Sequence, residues 1–200
     1  MPTLILSGGA GKDNEKKIND IFLSIVKKSP ILYIPIAMEP KNYPNCEKWI
    51  NKTLKHKKIT MLSDFSKKIS LSKFKGIYIG GGNTFKLLKE IKDNKWVSKL
   101  KKFKGVIAGG SAGAIIFAKD ISAAGFGTLK DKNKVKLKDL KGLNLINNYN
   151  LQCHYYSKEK SLILRHIKRT KTPMIALPND SGILVKNKKI KPINKVYMFK

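Results

Sequence analysis

One hydroxyl stands alone in "IAGGSAGAII" (107–116), where Ser111 is flanked by Gly109, Gly110, Ala112 and Gly113 and by apolar runs on either side. Small residues around a serine at a strand-to-helix turn are what a nucleophile elbow requires. The turn bends the nucleophile's backbone sharply, and larger neighbours would collide. Such a turn exposes the hydroxyl at the carboxyl edge of a sheet. The helix that follows directs free N–H groups at the site, so the N–H of Ala112 is a candidate donor to an oxyanion. A phosphate-binding turn is the competing reading. The sequence has no G-x-x-x-x-G-K-[ST], however, and no G-x-G-x-x-G at this turn.

A second glycine turn, "IGGGNTFKLLKE" (79–90), also lies between an apolar run and a helical pattern. Consecutive glycines let main chain approach a ligand closely, and the N–H groups of these three are candidates for the second oxyanion donor. Gly81 and Asn83 are candidate substrate contacts; helix capping is the competing role for Asn83 and Thr84. A serine nucleophile also needs a base. His56 falls in the lysine-rich "LKHKK", an exposed setting, and His166 inside a helical pattern. His154, in "YNLQCHYY", closes a short strand just before a helix, at the same sheet edge as Ser111.

The elements that must hold these groups are readable from periodicity. Apolar runs at 3–7, 31–37, 58–62, 76–80 and 105–109 read as strands. Helical patterns separate them: Ile18, Ile21, Phe22, Ile25 and Val26; Cys46, Trp49, Ile50 and Leu54; Phe85, Leu87 and Leu88; and "AGAIIFA" at 112–118. Glycines form a turn at 8–11. Strands alternating with helices predict an α/β fold, a parallel sheet covered on both faces, with functional residues at its carboxyl edge. Further on, 158–169 reads as a helix capped by Ser157, and 174–178, 182–186 and 194–199 as antiparallel strands. The lysine-rich 129–142 reads as an exposed hairpin or flap. No repeat or linker divides the chain, so one domain over 1–200 is expected.

The formal net charge of +29, from 42 basic and 13 acidic residues, raises the question of nucleic acid. Only Arg165 and Arg169 are arginines, the residue favoured for phosphate and base recognition, and the lysines are spread along the chain. A lysine-biased surface explains this better than a specific nucleic-acid site. No apolar run reaches the roughly 20 residues of a spanning helix, and "MPTLILSGGAGKDNEKK" puts apolar residues before charges, the reverse of a secretory signal. A cytoplasmic protein without membrane contact is expected. Cys46 and Cys153 are far apart and give neither a disulfide framework nor metal-ligand spacing, so no cofactor or metal is expected. The sequence is compatible with a homodimer as well as with a monomer.

Taken in order, "ILYIPIA", "GGGNTFKLL", "GGSAGA", "CHYYSKE" and "IALPNDSGILV" resemble the peptidase E (aspartyl dipeptidase) and cyanophycinase family of serine peptidases. The resemblance implies a three-layer α/β/α, flavodoxin-like fold akin to class I glutamine amidotransferases. It also implies Ser111 as nucleophile, His154 as base and then acid, and an oxyanion hole from the Gly82 and Ala112 N–H groups. The expected substrate is a small peptide or amide, dipeptides included. The family's glutamate in "LPE" is replaced by "LPND", so the residue orienting His154 is Asn179, Asp180 or, less directly, Glu159. The acidic residue that the family links to substrate recognition has no counterpart in "FAKDISAAGFGT", and the chain is short for a cyanophycinase. An amide at 179 also admits a catalytically impaired relative that binds peptides or small molecules.

Overall fold

The computed structural model describes residues 1–9 and 15–200. The turn expected at 8–11 therefore lies partly outside the described residues. The first half alternates as the periodicity predicts: β1 (Thr3–Ser7), α1 (Lys16–Val26), β2 (Ile31–Ile34), α2 (Tyr43–Leu54), β3 (Ile59–Met61), β4 (Gly76–Ile79), α3 (Thr84–Asp93), α4 (Trp96–Lys102), β5 (Val106–Gly110) and α5 (Ala112–Ile115). The remainder adds β6 (Asn150–Gln152), α6 (Lys160–Thr170), β7 (Met174–Ala176), β8 (Gly182–Lys186), β9 (Lys189–Ile193) and β10 (Tyr197–Phe199). Among the described residues, no helix is long and apolar enough to cross a membrane.

The central sheet runs β3-β2-β4-β5-β1-β8-β9. Its first five strands are parallel, and β8 and β9 are antiparallel additions. Although the central strands are apolar throughout, their side chains still alternate between two cores. Ile5, Tyr33, Tyr78 and Ala108 pack with Phe22 of α1 and Ile50 of α2. Leu4, Leu32, Ile77 and Ile107 pack with Leu88 of α3 and Trp96 of α4. This is the three-layer α/β arrangement that the resemblance implies. The pairing register brings Ser7 opposite Gly110 and Ile79 opposite Gly109. Strands β1, β4 and β5 therefore end together, and the loops after them converge on one point.

Four expectations are corrected. The strand expected over 31–37 stops at Ile34, because Pro35 cannot donate to a ladder and its carbonyl instead takes the N–H of Met38 in a turn. The helix expected over 112–118 is a single turn. Beyond it the carbonyls of Ile116, Phe117 and Ala118 are taken by the N–H groups of Leu143, Leu145 and Asn144, which draw the chain out of helix. Ser157 does not cap α6; it opens a 3-10 turn, and Glu159 occupies the position before the helix. The C-terminal strands do not form one antiparallel set. β7 joins a small separate sheet, β10-β7-β6, parallel to β6 and antiparallel to β10. β8 instead pairs with β1 and with β9, an element the sequence pattern did not disclose.

Candidate active site

The elbow begins with packing. An added Cβ on Gly113 would lie 2.2 Å from the Ile79 carbonyl oxygen, so the first turn of α5 can sit against the end of β4 only without a side chain there. Ser111 is thereby held at φ 51° and ψ −116°, a conformation L-residues rarely adopt. Such positions cost about 1–3 kcal/mol and persist only where surrounding structure enforces them. Here the Ser111 N–H donates to the Ser7 carbonyl at 3.2 Å, and its own carbonyl accepts from Ala114 and Ile115. Cys153 packs beneath the turn, with Sγ 3.7 Å from the Ser111 carbonyl oxygen; burial pushes its thiol far above the ordinary range, so it stays neutral.

His154 follows β6 and also has a positive φ, 53°. Its N–H donates to the Gly8 carbonyl at 2.9 Å. Its ring lies so close over Gly9 that a Cβ there would come within 2.4 Å of Cε1. Nε2 is 2.9 Å from Ser111 Oγ, and Nδ1 is 2.8 Å from Asn179 Oδ1. An amide oxygen only accepts, so Nδ1 carries the proton and Nε2 presents its lone pair to the serine hydroxyl. Of the three candidates left open by the sequence, Asn179 is the one that meets His154. Asp180 is exposed, and its carbonyl accepts from Asn194. Glu159 is buried and takes the N–H groups of Thr128 and Tyr156.

The turn after β4 reaches the same place. Gly81 abuts Ser111: an added Cβ would lie 3.4 Å from the serine Cβ. Gly82 has φ +136° and lines the cavities on both sides of Ser111. Neither its N–H nor that of Ala112 meets an acceptor among the described residues. Asn83 caps α3, with Oδ1 accepting from Lys86 N–H at 2.9 Å and Nδ2 donating to the Lys132 carbonyl at 2.9 Å. Both ends of its amide are thus engaged within the protein. The other two histidines lie elsewhere. His56 is half-buried rather than exposed and contacts the Lys27 carbonyl. His166 is buried between Ser122 and Asn150, and burial lowers its pKa.

Two cavities flank Ser111. One, of about 240 Å³, is walled by Glu15, Trp49 and Tyr78. The Glu15 carboxyl accepts from the Ser7 hydroxyl, and burial raises its pKa. The other, of about 260 Å³, is walled by Phe126, Leu129, Asp131 and Gln152. None of these seven was singled out as a site residue from the sequence. Trp49 and Tyr78 read there as core. Gln152, a polar residue on an apolar strand just before the candidate base, carried the clearest overlooked signal. Asp131 lies in the 129–142 segment, which forms neither helix nor strand and packs against α3: Asp131 Oδ2 accepts the Thr84 N–H at 2.8 Å.

Comparison with known proteins bears on this geometry. The fold is similar to that of a candidate peptidase E from Listeria monocytogenes EGD-e, with a TM-score of 0.73 and 22% identity, covering 96% of this chain and 98% of that one. It is also similar to a peptidase from an acI-B1 Actinobacterium, with a TM-score of 0.71 and 17% identity, covering 100% of this chain and 91% of that one. Identities this low speak for the fold alone. A comparison with curated proteins finds no match. The sequence itself matches peptidase family S51 over residues 3–193, a span that holds both glycine turns, His154 and Asn179. With nearly the whole length matched, the chain belongs to peptidase family S51, the peptidase E family of serine peptidases.

Proposed function

We propose that the protein hydrolyses small peptides or amides, dipeptides among them, through an acyl-enzyme on Ser111. Ser111 Oγ attacks the carbonyl carbon while His154 Nε2 takes its proton. The charge that develops on the carbonyl oxygen meets the N–H groups of Gly82 and Ala112; one such donor is typically worth about 3–4 kcal/mol in the transition state. The imidazolium then protonates the leaving amine, and water attacks the acyl-enzyme with His154 again as base. Asn179 holds the Nδ1–H tautomer that this sequence of transfers needs. It offers a dipole where an acid would offer a full charge.

The observation that carries this reading is the continuous line from Ser111 Oγ to His154 to Asn179, at 2.9 and 2.8 Å. The restriction to small substrates rests on cavities of about 260 and 240 Å³ on the two sides of the hydroxyl. A fluorophosphonate probe should label Ser111 in the folded protein, and a dipeptide library should be cleaved by the wild type. Ser111→Ala should lose both, with turnover falling at least about 10⁴-fold. A second reading, a binding protein that no longer turns over, draws on the amide at position 179. It requires that folded wild type leave the probe unreacted.

A further inference from the structure

The 260 Å³ cavity beside Ser111 has wall chemistry that the catalytic steps do not use. Among the described residues Asp131 is the one carboxylate in its lining, which holds no lysine or arginine. That exclusion is informative in a chain with 42 basic residues. An acidic side chain entering here would meet a carboxylate and no countercharge. Asp131 Oδ2 accepts the Thr84 N–H at 2.8 Å, whereas Oδ1 takes no hydrogen bond from the described residues.

Gln152 supplies the second observation. It is only 6% exposed, and its Oε1 is buried with no hydrogen-bond partner among the described residues. A buried acceptor left unpaired is unfavourable, and a ligand N–H would relieve it. The local electrostatics orient the amide. Its Nε2 and the Glu159 Oε1 both crowd Gly127, where an added Cβ would come within 2.8 and 3.0 Å of them. The nitrogen end thus lies on the Glu159 side, and the residue with the unpaired carbonyl oxygen lines the cavity. Phe126 and Leu129, also in the lining, suit a methylene stem beneath a charged head.

We propose that this cavity seats a cationic N–H donor of the substrate, an ammonium or guanidinium, against the Asp131 carboxylate and the Gln152 carbonyl oxygen. The inference rests on the hydrolytic reading for its meaning but is tested separately by binding. Two sources share the chemistry: a lysine or arginine side chain, and the free α-ammonium of a short peptide.

The test is calorimetric binding to full-length Ser111→Ala of Lys-Ala, Ala-Lys, their norleucine and aspartate counterparts, and N-acetyl-Lys-Ala. At least one lysine dipeptide should bind tenfold or more tighter than its norleucine and aspartate counterparts if a side chain is seated. If the α-ammonium is seated, acetylation should cost tenfold or more and the norleucine exchange little. Adding Asp131→Asn, which keeps an oxygen for the Thr84 N–H, should reduce either preference to within about threefold. Gln152→Leu should weaken the cationic ligands selectively, with thermal unfolding confirming that both variants fold. Equal binding of charged and uncharged ligands, tighter binding of the aspartate peptides, or no binding of any cationic ligand at millimolar concentration overturns the proposal. Fluorophosphonate labelling of the wild type reports separately on hydrolysis, so either idea can fail without the other.

Discussion

On one side of Ser111 the cavity wall is Glu15, Trp49 and Tyr78. Tyr78 belongs to β4 and Trp49 to α2, and their rings meet edge-on at 5.9 Å within an aromatic group that includes Tyr33. On the other side the wall is Phe126, Leu129 and Asp131, carried by the irregular chain between α5 and β6, with Gln152 on β6. The first wall reaches the edge of the core, where Tyr78 packs with Phe22, Tyr33 and Ile50. The second is held by loop hydrogen bonds and a few apolar contacts. Leu129 there is 61% exposed, so part of this wall can change without disturbing the sheet, as is common for loops over a rigid scaffold.

The difference is open to direct attack. Tyr78→Ala empties a site that is 4% exposed and should cost about 3–5 kcal/mol, whereas Leu129→Ala, at a residue 61% exposed, should change stability by no more than about 0.5 kcal/mol. Chemical denaturation measures both. Equal costs would mean that the loop wall is as integral to the fold as the sheet wall. Leu129→Ala should instead raise KM for cleaved peptides a few-fold with little change in kcat.

Asn179 stands next in size and belongs to neither wall. Asn179→Ala should lower kcat by about 10²-fold, the low end for a positioned base, with thermal stability nearly unchanged. Asn179→Asp should retain turnover and move the acid limb of the pH–rate profile upward, because a carboxylate beside Nδ1 favours the imidazolium. A profile unmoved by this charge would separate residue 179 from the titration of His154.

The smallest effect concerns Glu15 on the sheet side. Burial raises its carboxyl above the ordinary value, and the Ser7 hydrogen bond opposes this only in part. The folded chain therefore holds the proton more tightly than the unfolded chain. The stability this gives is complete below the ordinary glutamate range of about pH 4–5 and is lost as pH rises through the folded value. Glu15→Gln, which cannot ionise, should gain on the wild type progressively above that range in urea unfolding at graded pH. A difference that stays flat with pH would contradict the burial of this group.

What the sequence disclosed follows the same division. β1, β2, β4 and β5 were legible because strands buried on both faces must be apolar throughout, and the elbow because its close packing admits only small residues. His154 emerged by elimination among three histidines. The choice among Asn179, Asp180 and Glu159 was not legible, since one residue of register in a loop decides which side chain meets the imidazole. β9 escaped because "KIKPI" at a sheet edge carries lysines and Pro192, features that argue against a strand by pattern alone. α5 was overestimated because its end depends on Leu143–Leu145, nearly thirty positions away, which no local periodicity reports. Asp131 was hidden in a lysine-rich run that reads as solvated surface.

The 131–139 stretch is moored to α3 three times: Asp131 to the Thr84 N–H at 2.8 Å, the Lys132 carbonyl to Asn83 at 2.9 Å, and Asp139 to Lys92 at 2.8 Å. Two of those moorings fall on the residues immediately after Gly82. A force on the Asp131 side chain is therefore transmitted through one or two peptide units to Gly82, which lines the cavities on both sides of Ser111. Under the proposed hydrolysis, filling the side cavity should therefore also shift that glycine's amide, so that a poorly fitting occupant loses rate as well as affinity.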